Sequence, residues 1–192
     1  CKDCNKTIVE NYTYNACFSN INKQIVLLLT EGVGIRSIAR ILKISASTLL
    51  KRIIAISDSV NLPVMTPESS YEIDELCTFV KAKSKRIWIV YAFERETKNI
   101  VGFNVGARTN LTLKKVVYKV LKANPYAVYT DRLKNYKSLI PQCIHKTVRF
   151  GTNNIERVNL TLRTRLKRLN RKTICFSKSE VMLNAVLNIY FS

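Results

Sequence analysis

The stretch YEIDELCTFV at residues 71–80, with RIWIVYAF at 86–93, decides how the rest of the chain can fold. The first alternates apolar and polar residues with a period of two, as a half-buried strand does. The second is a continuous apolar run rich in β-branched and aromatic residues, which predicts a central strand. Residues 81–85 form a basic turn between them, and 99–105 supply a third strand after a turn at 94–98. Strands joined by such short connections pair antiparallel. Trp88, Tyr91 and Phe93 are read as core aromatics.

Towards the C-terminus the period changes. Leu113, Val116, Val117, Val120 and Leu121 recur at helical spacing with four Lys opposite, and Pro125 ends the element. Residues 126–130 form a short strand that delivers Asp131 at its end, followed by a short helix at 132–139 and a last strand at 143–148. Ile155, Val158, Leu162, Leu166 and Leu169 make one stripe of a helix predicted over 154–170. A final helix covers about 178–190. The order βββαβαβα is that of an α/β fold with a mixed sheet. His145, lying between strand and loop, is assigned a structural role.

Upstream, residues 20–58 read as a small helical unit. Ile21, Ile25, Leu28 and Leu29 line one helix, which breaks at Gly32-Val-Gly34. Ile35, Ile38, Ala39 and Leu42 line a second, and Ser45 caps a third whose stripe is Leu49, Leu50 and Ile53. Ser47, Thr48, Lys51 and Arg52 occupy the polar side of that third helix. A short turn with polar and basic residues early in the last helix is the helix-turn-helix pattern, with a generic helical bundle as the alternative. Residues 59–70, which hold Pro63 and Pro67, form a linker to a larger unit at 71–192.

Residues 1–19 contain Cys1-x-x-Cys4, half of a tetrahedral zinc site; unpaired thiols are the alternative. The chain begins at Cys1 and not at Met, so it reads as a fragment or truncated frame with a partial zinc knuckle. No export signal opens it, which favours free thiols or metal ligands over disulfides for the six Cys. The apolar stretch at 181–192 is too short to span a bilayer.

Charge placement points to a partner. The 192 residues carry 32 Lys and Arg against 13 Asp and Glu, a formal charge of +19. Residues 1–96 hold 13 basic and 10 acidic side chains, whereas 97–179 hold 19 basic and only two acidic ones, Asp131 and Glu156. Phosphate neutralisation is the usual reason for such a field, so nucleic acid is the leading partner, and a merely solvated basic surface is the bland alternative.

The rare acids then matter. Asp131 follows a strand end, Glu156 lies in the first turn of a helix, and Asp74 is embedded in the first strand, where an unpaired carboxylate is expensive. Their convergence would create a site for two Mg²⁺ ions, the arrangement for in-line phosphodiester exchange. Ordinary salt-bridge partners are the competing reading. Seven residues on from Glu156, Arg163 returns to within about 20° on the helix.

The segments EIDEL (72–76), TD (130–131) and NIERVN (154–159), with RLNRKT (168–173) and FSKS (176–179), resemble the motifs of insertion-sequence-one transposases. These are bacterial DDE enzymes with a ribonuclease-H-like catalytic core, preceded by a zinc ribbon and a helix-turn-helix. Cys77 stands where that family usually has Trp. The resemblance implies Asp74, Asp131 and Glu156 as catalytic and Mg²⁺-binding residues, Cys1 and Cys4 as part of a zinc site, and Arg163 as a DNA contact. Arg168, Arg171 and Lys172 in the matching basic motif join it, with Ser47, Thr48, Lys51 and Arg52 from the helix-turn-helix. The implied activity is metal-dependent cleavage and strand transfer at element ends, on element and target DNA. The enzyme would work as a homo-oligomer in the bacterial cytoplasm at the nucleoid. Another ribonuclease-H-like nuclease or resolvase, a DNA-binding regulator and a decayed copy without catalysis are the alternatives.

Overall fold

The computed structural model describes residues 3–5, 7, 9 and 13–192. Helices α1 (Ile21–Thr30), α2 (Ile35–Ile41) and α3 (Ala46–Ser59) come first. Strands β1 (Ser70–Val80), β2 (Ala82–Glu94) and β3 (Ile100–Gly106) follow, then α4 (Asn110–Lys122), β4 (Ala127–Thr130), α5 (Lys134–Leu139), β5 (His145–Lys146), α6 (Asn153–Arg165) and α7 (Glu180–Phe191). Three helix starts are capped by hydroxyls: Ser45, Thr109 and Ser179 accept from the amides of Thr48, Thr112 and Met182.

The five strands form one mixed sheet in the order β3-β2-β1-β4-β5. β1, β2 and β3 pair antiparallel, whereas β4 runs parallel to β1 and β5 parallel to β4. β1 therefore occupies the centre, and β2, the more apolar run, lies beside it. The apolar-polar alternation of β1 does not mark a solvent face, since helices cover both sides. Tyr71 and Ile73 enter a core with Val90, Leu113, Val116 and Tyr136 under α4 and α5. Leu76 enters another with Ile89, Tyr91, Ile155, Leu162 and Leu187 under α6 and α7. Glu72 and Asp74 share this second face, where apolar side chains would otherwise continue.

Several boundaries differ from the sequence expectation. A single residue, Lys81 with φ 66°, makes the turn between β1 and β2, so the basic segment 83–85 belongs to β2. β5 is two residues long. α6 ends at Arg165 because Leu166 turns extended, and the apolar stripe continues through a 3₁₀ turn at Lys167–Leu169. Trp88 is half-buried beneath the Arg108 guanidinium, 4.5 Å from its ring centre.

The N-terminal helices pack against the C-terminal one. Ile25, Ile38, Leu49, Ile53 and Ile56 share a core with Ala185, Val186 and Ile189 of α7, and Asn188 donates to the Ser57 carbonyl at 2.8 Å. The segment joining α3 to β1 is strapped to the sheet: the Thr66 amide donates to Glu94, and Met65 packs on the α4 side.

Candidate active site

Parallel pairing of β1 with β4 sets Ile73 opposite Thr130. Asp74, the next residue of β1, and Asp131, just past the end of β4, therefore emerge side by side. Crevices at the carboxyl ends of parallel strands are where α/β sheets bind ligands. One oxygen from each of Asp74, Glu75 and Asp131 lies within 4.8 Å of the others. Three oxygen donors so close suit a hard divalent cation.

Asp74 is held from two sides. Its Oδ1 accepts the Glu75 amide at 2.7 Å and its Oδ2 accepts Asn159 Nδ2 of α6 at 2.6 Å. Asn159 is in turn oriented by Tyr91, whose hydroxyl donates to its Oδ1 at 2.9 Å. Burial, with the neighbouring Glu75 and Asp131 charges, pushes the Asp74 carboxyl up to about 6. Asp131 is exposed and accepts the Leu133 amide at 2.9 Å.

Glu75 is not among the candidates the sequence offers, and strand alternation puts it on the opposite face of β1 from Asp74. It does leave on that face, towards α5, where Oε1 accepts the Tyr136 hydroxyl at 2.7 Å and Oε2 pairs with Arg108 at 3.2 Å. Nothing local in the sequence marks it, because Tyr136 and Arg108 are distant in the chain.

Glu156 lines the same cleft as Asp74, a space of about 540 Å³ shared with Glu75, Asn159, Leu160, Arg163 and Arg171. Its carboxylate is turned along its own helix and accepts the Thr152 hydroxyl at 3.0 Å. The structure thus places Glu156 at the cleft but outside the Asp74–Glu75–Asp131 trio.

The cations divide by what they touch. Arg163 lines the cleft and donates to the Leu169 carbonyl at 3.0 Å. Arg171 and Lys172 are exposed, on the cleft and an adjoining groove with Arg163 and Lys167. Arg168 instead donates to Ser177 at 3.0 Å, and burial lowers its pKa. On α3, Ser47 and Lys51 are exposed, whereas the Thr48 hydroxyl is engaged by Ser45 and Tyr14. Arg52 donates to Asn22 at 2.9 Å and to the Ala16 carbonyl. His145 Nε2 lies 2.8 Å from the Thr130 hydroxyl, one residue before Asp131. Cys4 is exposed, and Cys1 lies outside the described residues.

The family model for IS1 transposase matches residues 69–192. The chain belongs to the IS1 transposase family. As a member it is a DDE transposase, an enzyme of phosphodiester cleavage and transesterification. The insertion element iso-IS1n protein InsB of Shigella dysenteriae is 36% identical over 119 residues, covering 62% of this chain and 91% of that protein. The insertion element IS1 protein InsB of Shigella flexneri is 36% identical over 122 residues, covering 63% and 92%. Among solved structures, a simian T-cell lymphotropic virus intasome chain matches with TM-score 0.40 and 13% identity, covering 87% of this chain and 64% of that one. The HTLV-2 integrase catalytic core, solved with magnesium, matches with TM-score 0.37 and 11% identity, covering 67% and 86%. No helix among the described residues of the transposase is long and apolar enough to cross a membrane.

The Asp74 environment carries a stability consequence. Its folded pKa of about 6 exceeds the ordinary 3.8, so the folded state binds the proton more tightly than the unfolded state does. Ionisation therefore destabilises the fold as pH rises from about 4 to about 6, and the penalty is constant above that. In chelator, Asp74→Asn should raise the melting temperature of the transposase at pH 7.5. The gain should vanish below pH 4, and an equal gain at both pH values in paired melting curves would contradict it.

Proposed function

We propose that Asp74, Asp131 and Glu156 are the catalytic carboxylates, and that they act on DNA at the ends of an insertion sequence. The observation that carries this is the juxtaposition of Asp74, midway along β1, with Asp131, just past the end of the parallel strand β4, beside a cleft that Asp74, Glu156 and Arg163 line. Three antiparallel strands followed by two parallel ones, with helices on both faces, agree with a ribonuclease-H-like core over 71–192. The donor set is all oxygen, which fits Mg²⁺, and Asp74 and Asp131 would hold it with Glu156 completing the set. When bound, a pair of such ions activates the attacking oxygen and stabilises the leaving oxygen of in-line displacement.

The chain's own residues do the rest. Asn159 and the Glu75 amide fix the Asp74 carboxylate towards the cleft. Arg108 and Tyr136 hold Glu75 on the far side of the strand. Arg163 and Arg171 on the cleft wall would take phosphates that the carboxylates alone would repel. A helix-turn-helix at 20–58 would present Ser47 and Lys51 to element ends, with 59–70 as the strap between the units. Assembly on DNA as a homo-oligomer, zinc at Cys1 and Cys4 and action at the bacterial nucleoid belong to the same reading.

The test is strand cleavage on a duplex carrying the element's terminal repeat. Cleavage should require Mg²⁺ and stop in chelator; metal-independent cleavage, or none on flanked native ends, would contradict the reading. DNA binding should separate from chemistry. Lys51→Ala, and Arg171→Ala with Lys172→Ala, should weaken binding and lower its salt slope by about one for each phosphate left without its cation. Arg52→Ala should lower stability instead, as it removes the bonds from α3 to Asn22 of α1 and to the Ala16 carbonyl before it. A salt titration alongside melting curves distinguishes the two classes.

A further inference from the structure

We propose that Glu72 is a positioning residue: its buried carboxylate caps α6 from the central strand and sets where Glu156 stands relative to Asp74. This rests on the reading of Glu156 as catalytic.

Glu72 has no solvent exposure. Its carboxylate accepts three donors, each at 2.8 Å: Arg95 Nε, Asn154 Nδ2 and the Ile155 amide. A buried carboxylate is costly unless paired and hydrogen-bonded, and this one is both. Two of its donors belong to the first turn of α6. That helix has no capping hydroxyl of its own, because Thr152 at its N-cap donates to Glu156. Glu72 therefore takes the place of a cap, satisfying an otherwise orphan amide with a negative charge at the positive end of the helix dipole.

Arg95 ties the remaining elements to the same point. Its Nη2 donates to the Gly151 carbonyl at 2.6 Å, and its guanidinium stacks 3.6 Å from the centre of the Tyr129 ring on β4. Gly151 leaves no slack there: a Cβ would meet the Val148 carbonyl at 3.0 Å and Tyr129 at 3.1 Å. This pair, with Glu72 buried and Arg95 partly exposed, thus joins β1, the end of β2, β4, the loop before α6 and α6 itself.

The geometry explains why a carboxylate stands here. Apolar contacts at Ile155 and Leu162 hold α6 against the sheet but are non-directional, so they tolerate sliding and rotation. Directed bonds from Glu72 remove that freedom. Glu72 and Asp74 lie two residues apart on one face of one strand, and Glu156 follows Ile155. The strand therefore measures the offset between two members of the site.

The charge-preserving variant Glu72→Asp, one methylene shorter, tests this. Mn²⁺ affinity is read by paramagnetic resonance without DNA, cleavage by single-turnover kinetics, and folded fraction by circular dichroism. Glu72→Asp should weaken Mn²⁺ binding about tenfold and slow cleavage by about 10–100-fold, with DNA affinity unchanged. In a Glu156→Gln background it should leave Mn²⁺ affinity where Glu156→Gln alone puts it. A lowered melting temperature with wild-type Mn²⁺ affinity and cleavage per folded molecule would overturn the proposal. Should Glu72→Asp fail to fold, Asn154→Ala, which keeps the Glu72–Arg95 pair, carries the same expectations. If Glu156→Gln alone changes neither Mn²⁺ affinity nor cleavage, the catalytic reading of Glu156 falls, and the positioning role with it.

Discussion

Asp74→Asn and Asp131→Asn should each reduce Mg²⁺-dependent cleavage by at least about a thousandfold, while DNA affinity stays the same or rises. The loss is large because each change removes an anionic oxygen from a set with few members, and metal-assisted phosphoryl transfer depends on that charge in the transition state. Affinity should survive because the proposed DNA contacts are cations such as Arg171 and Lys172, and because removing a carboxylate lessens repulsion of phosphate. Glu156→Gln should also abolish cleavage, although its carboxylate rests against Thr152 and not beside Asp74. A purely structural role for these acids predicts cleavage in proportion to folded protein. Cleavage rates at matched folded concentration, with binding measured in chelator, separate the two.

Gly32→Ala should destabilise the transposase by about 3 kcal/mol or more. Gly32 terminates α1 with φ 72°, in a turn where its amide bonds the Leu29 carbonyl and the Val33 amide bonds the Leu28 carbonyl. That is the Schellman arrangement, in which a left-handed residue after the helix is normally Gly. A Cβ there would also lie 2.0 Å from the Arg165 carbonyl oxygen. Backbone on both sides cannot rotate away, so α1 and the end of α6 must separate. Gly34→Ala is the control: nothing lies within 4 Å of its Cβ position, and the change should stay below about 1 kcal/mol. Chemical denaturation of both variants checks the contrast, and equal losses would contradict it.

Element order was readable because each element has a strong period or composition: the β2 run, the α4 stripe and the Ser45 cap all depend on neighbours in sequence. What failed depends on neighbours in space. The alternation of β1 suggests a half-buried strand with one solvent face, but Glu72 and Asp74 bond groups of α6 while Glu75 bonds Tyr136 of α5. The α6 stripe continues past Arg165 without Gly or Pro, so nothing local marks the end at Arg165, where Leu166 turns extended beside Gly32. Asp131 and Glu156 stood out in the site as lone acids in a basic half. Glu75 and Glu72 did not, since their roles appear only when Tyr136, Arg95 and the α6 amide come within bonding distance. Arg52 and Arg168, expected as DNA contacts, also bond neighbouring protein groups, which composition alone does not show.

The most direct test is the position of Mn²⁺ in crystals of the transposase soaked with manganese, located by anomalous scattering. A peak is expected between Asp74 and Asp131, with Glu156 turned from Thr152 towards the ion. Peaks only elsewhere on the protein, with this crevice empty at saturating manganese, would contradict it.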